Sequence, residues 1–227
     1  MKFLKFIFPL LVFFLFSCEN KELIQQNEQL KEQVSELKAK ITEQNLMMSR
    51  MRQSDDKLML LASKISGIKA TISTNMGNIE IKFFPDKAPI QCFNFITRAE
   101  CGYYDNTKFH RVIPGFMIQG GDINSKKDNK SLYGQGTTLV PVPHEFNDLK
   151  HKRGILSTAR TEDLNAGAGS QFFILQKDAP WLDNQYTAFG EVTNGIDIVD
   201  KIASTKTIKP GDIPVNPVIV KTIRVYR

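Results

Sequence analysis

Apolar and polar positions divide the 227-residue chain into three stretches with different periods. Phe6 to Phe16 is a nearly unbroken apolar run behind a short basic head, Met1 to Lys5. From Asn20 to about Ile65 there is no Pro, and Lys, Glu, Gln, Leu and Met dominate, which favours helix. Apolar side chains there follow a heptad. Leu23, Leu30, Leu37, Met51, Leu58 and Ile65 share one register, while Val34, Ile41, Met48 and Ala62 fill the other behind Asn27. Leu at d, β-branched residues at a and one Asn in the seam favour a parallel two-stranded coiled coil, with Gln44 and Asp55 interrupting it. A single solvated helix and a trimer are the alternatives. At a rise of ~1.5 Å per residue, such a stalk spans about 60 Å.

Ser66-Gly67 ends the helical period, and shorter patterns follow. Ala70 to Thr74 and Ile79 to Phe84 flank Asn75-Met76-Gly77-Asn78 and predict a β-hairpin. Pro85 and Pro89 bracket a helix start whose apolar side, Ile90, Phe93, Phe95 and Ile96, runs to about Glu100 before Gly102. Phe109 to Ile113 and Phe116 to Gln119 read as two strands around the bend Pro114-Gly115. Asn124 to Leu139 is polar and without period, a surface loop. Pro141 to Phe146, Gly154 to Ala159, Gln171 to Leu175 and Thr187 to Val192 are short strand candidates. Ile196 to Ala203 predicts a second helix, and Val218 to Tyr226 a last strand. Many short strands with two helices suggest a mainly β fold, an antiparallel barrel without exposed edges.

Side chains alternate along a strand, so Arg111, Met117 and Gln119 can share one face despite the bend. A fixed cation, an amide and apolar groups on one surface suit a peptide-binding site better than a core. The stretch Phe109 to Asp122, F-H-R-V-I-P-G-F-M-I-Q-G-G-D, resembles the cyclophilin family of peptidyl-prolyl isomerases. So do G-I-L-S-T-A at Gly154 to Ala159 and S-Q-F-F-I at Ser170 to Ile174, followed by Trp181-Leu182-Asp183 and Phe189-Gly190. The resemblance runs from about Ala70 to the C-terminus. It implies a closed eight-stranded antiparallel β-barrel with two capping helices, preceded here by the helical coiled-coil stalk. It also implies the catalytic residues Arg111 and Gln119, and a substrate groove of Phe116, Met117, Ala159, Gln171, Phe173, Trp181, Leu182 and Tyr186. Tyr186 stands where many eukaryotic members have histidine, and Arg160 replaces a common asparagine. Phe172, on the opposite strand face from Phe173, belongs to the core.

The head, the apolar run and Ser17 have the layout of a secretory signal, too short to span a bilayer. Cys18 directly after Ser17 resembles a bacterial lipoprotein signal, in which that cysteine is lipidated. An ordinary cleaved signal is the alternative. The organisation is then a signal at 1–17, a lipidated N-terminus and stalk at 18–65, and an isomerase domain at 66–227. The resulting expectation is an exported lipoprotein, anchored in a bilayer through Cys18, on a periplasmic face or cell surface. Its partners are proline-containing polypeptides and, through residues 23–65, a second copy of itself.

Net charge is +6, and losing Lys2 and Lys5 with the signal leaves +4. Residues 18–65 hold eight basic and eight acidic side chains, so the excess lies C-terminal to them, scattered as Lys126-Lys127 and Lys150 with Lys152-Arg153. No long basic run or nucleic-acid motif accompanies it, which argues against a nucleic-acid partner. Cys92 and Cys101 lie ~13 Å apart along a helix, beyond disulfide reach. His110, His144 and His151 lack metal-ligand spacing, and no cofactor is expected. Ser157 and Ser170 lack the nucleophile-elbow context of a hydrolase. His110, beside Arg111, is assigned a structural role. A non-catalytic reader of proline segments and an envelope scaffold carried by the coiled coil remain as rival readings.

Overall fold

The computed structural model describes residues 24–35, 38, 55–136 and 141–227. The signal at 1–17, Cys18 and the seam positions Leu23, Leu37, Ile41, Gln44, Met48 and Met51 lie outside the described residues. The chain divides at Ser54 and Asp55 into two units. In the first, α1 (residues 24–35) is helical, with Leu30 57% and Val34 44% exposed.

The second unit opens with α2 (Asp55–Ile65). The heptad reading gives this helix to the stalk, but here it packs against α3 (Pro89–Glu100). Ile65 is buried in the domain core, and Leu58 and Ala62 are half-buried. The last seam positions are therefore occupied by the domain. The Arg227 guanidinium also donates to the Lys64 carbonyl, tying the far end of the chain to the same helix.

Eight strands form one antiparallel sheet. In chain order they are β1 (Lys69–Thr74), β2 (Asn78–Phe83), β3 (Arg111–Ile113), β4 (Met117–Gly120), β5 (Ile155–Arg160), β6 (Ala168–Leu175), β7 (Ala188–Asn194) and β10 (Val220–Tyr226). Their spatial order is β10-β1-β2-β7-β5-β6-β4-β3. The sheet curls into a half-barrel. Its two edges meet at one bridge, Lys108 with Ile219, flanked by the Asn106, Phe109 and Val220 amides donating to Val220, Val218 and Thr107 carbonyls at 2.8–2.9 Å. A two-stranded ribbon, β8 (Thr207–Ile208) with β9 (Ile213–Pro214), stands apart. The hairpin, both helices of the C-terminal domain and the strands around Pro114-Gly115 match the expected pattern, with ends shifted by a few residues. Pro141 to Phe146 forms no strand. Pro141 and Pro143 lack the N–H a ladder needs, and only Val142 pairs, with Ala168.

The concave face is filled by aromatic rings gathered on Phe95 of α3. Phe83, Tyr104, Phe172 and Phe189 lie 5.1–5.6 Å from it, centroid to centroid. α4 (Ile196–Ala203) adds Val199, Ile202 and Ala203 to the same core. A second cluster, Met117, Phe173, Leu175 and Leu182 among others, covers the other side of β4 and β6. Strand alternation produces both: Gly120 pairs with Phe172 and Gln119 with Phe173, so neighbouring phenylalanines serve different cores.

Ala88 precedes α3 and supplies no side-chain cap. Glu145 does so from the Pro141–Phe146 segment, accepting the Ile90 and Gln91 amides at 3.1 and 2.8 Å. Burial nevertheless outweighs those bonds and pushes its carboxyl up to about 7. A raised folded-state value means that the native state holds a proton that the unfolded chain has released. Glu145 therefore costs stability progressively as pH rises from 4.5 towards 7. Replacing it with Gln removes that cost. Urea midpoints at pH 5 and pH 8 should show Glu145→Gln gaining on wild type by on the order of 2 kcal/mol across that interval; a pH-independent difference would contradict the assignment.

Candidate functional site

Three strands build the site on the convex side. Arg111 on β3 faces Gln119 on β4, and Gln119 faces Phe173 on β6. Gly115, at φ +78, turns the chain between β3 and β4 with nothing near enough to hinder it. A hollow of about 150 Å³ opens there. It is lined by Arg111, Phe116, Met117, Gln119, Ala159, Phe173, Leu182 and Tyr186, joined by Arg160. Eight of the ten residues expected in the groove thus line one cavity. Gln171 lies beside it and Trp181 at its rim, 61% exposed, with its ring 5.8 Å from Phe116.

A chain of amides fixes the polar wall. Arg111 Nη1 donates to Gln119 Oε1 at 3.5 Å, and Gln119 Nε2 donates to Gln171 Oε1 at 2.9 Å. Gln171 Nε2 then donates to the Gly134 and Gly136 carbonyls at 2.9 and 2.7 Å. Each amide is used at both ends, which sets its orientation and turns the Gln119 oxygen towards the guanidinium. Among the described residues Arg111 makes no ion pair, so its charge remains for a ligand.

The stretch supplying those two carbonyls reads in sequence as a plain surface loop, yet its backbone forms part of the polar wall. It is pinned from below by Asp122, fully buried, which accepts the Asn124 and Gly134 amides at 2.8 and 2.5 Å. Gly136 presses on the same carboxylate so closely that a Cβ would meet Oδ1. Gly134-Gln-Gly136 is the available signal: Gly136 lets the backbone press on Asp122, and Gly134 takes a positive φ of +82.

Arg160, noted only as a departure in the sequence, is a second cation in the wall. Its Nε donates to the Gln185 carbonyl and Nη1 to the Thr161 carbonyl, both at 2.9 Å. The guanidinium lies 4.5 Å over the Tyr186 ring, which meets Phe173 edge-on at 5.7 Å. The Arg160–Tyr186 pair therefore stacks as one unit over the apolar floor.

His110 lies buried beside this wall, near Gln171 and Arg111. It is 3% exposed, and burial holds it below the ordinary histidine value against the pull of Asp122, so the ring is neutral near pH 7. His151 makes contacts resembling a hydrolase triad. Nδ1 is 3.1 Å from Asp183 Oδ1, and Nε2 is 3.1 Å from Ser157 Oγ. Ser157 is 0% exposed, at hydrogen-bond distance from the Thr187 carbonyl as well. No substrate reaches it, and the trio braces β5 against the segment carrying Leu182. Cys92, buried, and Cys101, exposed, are both free thiols. Among the described residues no group of three or more His, Cys, Asp or Glu side chains could hold a metal ion.

This geometry suits a reaction in which nothing is bonded or cleaved. Rotating a peptide bond costs about 18–20 kcal/mol through loss of amide resonance. A twisted X–Pro amide recovers a nitrogen lone pair, which a fixed guanidinium can meet with a hydrogen bond, while an apolar hollow holds the ring.

Residues 69–225 match the family model described as cyclophilin type peptidyl-prolyl cis-trans isomerase/CLD. A peptidyl-prolyl cis-trans isomerase of Acinetobacter baylyi is 37% identical over 177 residues, covering 74% of this chain and 90% of that protein. Peptidyl-prolyl cis-trans isomerase B of Escherichia coli is 40% identical over 167 residues, covering 68% and 98%. Among solved structures, a Cryptosporidium parvum cyclophilin type peptidyl-prolyl cis-trans isomerase, crystallised in the presence of the dipeptide Ala-Pro, is similar. Its TM-score is 0.63 at 32% identity, covering 70% of this chain and 99% of that one.

Proposed function

This chain belongs to the cyclophilin-type peptidyl-prolyl cis-trans isomerases, and we propose that it turns X–Pro bonds in exported proteins while tethered to a membrane through a lipidated Cys18. The isomerase activity follows from family membership. The export, the tether and the part played by each residue are our reading.

One observation carries the residue assignment: Arg111 and the apolar side chains of the proline hollow line the same 150 Å³ cavity. In this reading Phe116, Met117, Phe173 and Leu182 seat the ring, with Tyr186 closing one side. Arg111 donates to the imide nitrogen as it pyramidalises. Gln119 holds the guanidinium and meets the substrate backbone, while Ala159, Gln171 and Trp181 border the passing chain. A donor aimed before the twist begins stabilises the transition state without reorganising. Neither a base nor a cofactor is needed. The backbone bonds between residues 106–109 and 218–220 support closure of the curled sheet into a barrel.

The tether rests on the sequence of the N-terminus, Ser17-Cys18 behind an apolar run of signal length. Several acyl chains on one cysteine anchor firmly where a single one does not. The stalk adds a proposed parallel homodimer. Since α2 packs on the domain, its seam would lie N-terminal to Asp55.

Cis-to-trans conversion of a proline peptide tests the assignment. Arg111→Ala should lower kcat/KM about 100-fold while peptide affinity changes only a few-fold; equal rates in variant and wild type would remove Arg111 from the mechanism. For the tether, fractionation of cells expressing Cys18→Ala should move the protein from the membrane to the soluble fraction. Retention in the membrane would refute lipid anchoring. Sedimentation of the Cys18-to-Arg227 fragment at micromolar concentration should give a dimer, and a strict monomer would end the coiled-coil reading.

A further inference from the structure

Three hollows meet at Gln119. The proline hollow shares Gln119, Ala159 and Arg160 with a larger one of about 510 Å³, which continues past Thr161 and Pro141. On the other side it shares Arg111 and Gln119 with a third of about 430 Å³, lined also by His110, Lys130 and Tyr133. A peptide whose proline fills the central hollow must send its neighbours into the outer two.

The charged groups of these linings have one sign. Arg111, Arg160 and Lys130 are the cations, and among the described residues no carboxylate lines any of the three. His110 is buried and held neutral. The nearest acids are already committed. Asp212 pairs with Lys209, Asp128 with Lys108 at 3.1 Å, and Asp183 with Lys150 and His151. Asp122 is buried under backbone amides. Glu162 and Asp163 are exposed on the turn beyond Thr161, outside the linings.

Arg111 is accounted for by the imide, but the other two cations are not. Arg160 is locked by two carbonyls and the Tyr186 face, which leaves Nη2 without a partner among the described residues. A held guanidinium with free N–H groups is a ready fork for a carboxylate. Lys130 is exposed and makes no ion pair among the described residues.

We propose that this groove selects proline segments bearing an acidic side chain next to the X–Pro bond, with Arg160 reading one flank and Lys130 the other. The proposal rests on the isomerase reading and adds the substrate class. Surface charges within about 10 Å attract strongly at low ionic strength and are screened by salt. Selection of this kind acts mainly on binding, and so on KM, whereas Arg111 acts on kcat.

The full chain can be assayed with peptides carrying Glu, Ala or Lys immediately before or after the X–Pro pair. Glu peptides should exceed Lys peptides about tenfold in kcat/KM at low salt, falling to about twofold at 1 M NaCl. Arg160→Gln should compress the ratio at one flank and Lys130→Gln at the other, with the change in KM. Lys130, exposed on a loop, gives a variant whose folding is not at stake. A ratio near one in wild type, or a ratio untouched by both substitutions, overturns the proposal. The Ala peptide reports separately on the isomerase reading. Preferential binding of Glu peptides, measured by fluorescence anisotropy, without acceleration of any peptide would retain the charge selection and sink catalysis.

Discussion

Phe172 meets Phe95 edge-on at 5.2 Å, and that contact holds β6 in register. Slipping a strand by one residue exchanges its two faces. On β6 such a slip would carry Phe173 into the aromatic core and turn Phe172 outward, emptying the apolar floor of the groove. It would also move Gln171 away from Gln119. The core at Phe95 therefore does more than stabilise the fold: it decides which side chains are offered to a ligand. Gly121 tightens the same constraint, since its positive φ and the Ser170 carbonyl, lying where a Cβ would stand, admit no side chain between β4 and β6.

From that register follows the line from the Gly134 and Gly136 carbonyls through Gln171 and Gln119 to Arg111. Its members come from three strands and a loop, and it starts from a carboxylate, Asp122, that no solvent reaches. Each link removes freedom from the next. The guanidinium at the end is solvent-exposed, yet its neighbour Gln119 is oriented through three successive contacts. Catalysis of bond rotation needs this arrangement more than it needs reactivity, because reaching the transition state twists an amide out of resonance and frees its nitrogen lone pair, with no bond made or cut. The cation–π pair of Arg160 and Tyr186 closes the opposite wall by a different means, stacking instead of an amide chain.

Most of the strands were legible in the sequence because alternation and turn residues coincide, as at Thr74 to Ile79 and around Pro114-Gly115. Seven of the eight expected residues lining the hollow sit in short ordered motifs, and Tyr186 lies between two of them. What escaped did so for physical reasons. Segment 141–146 has strand composition but two prolines, and its role went to the Glu145 side chain capping α3 from 55 residues away. The ribbon of β8 and β9 has two residues on each side, too few for any period to show. Leu58, Ala62 and Ile65 continue a heptad faultlessly, but a heptad states only that one face is apolar. It does not state whether the face meets a second copy or the chain's own domain, and here α3 takes it. Gly134 and Gly136 act through carbonyls, which every residue possesses, so only their missing side chains mark them.

Ser157, His151 and Asp183 give the clearest case of geometry without function. Their distances would serve a nucleophile, and His151 is held by an acid on one side as a general base would be. Burial decides against it: a serine with no exposed surface cannot attack, and burial also depresses the imidazole, which discourages the charged form a proton shuttle must pass through. Arg111 is the converse. Its distance to Gln119 is long and its contacts are few, yet it is exposed, makes no ion pair among the described residues and lines a hollow the size of a small ring. Access and an uncommitted charge, more than close contacts, separate the proposed working group from the brace.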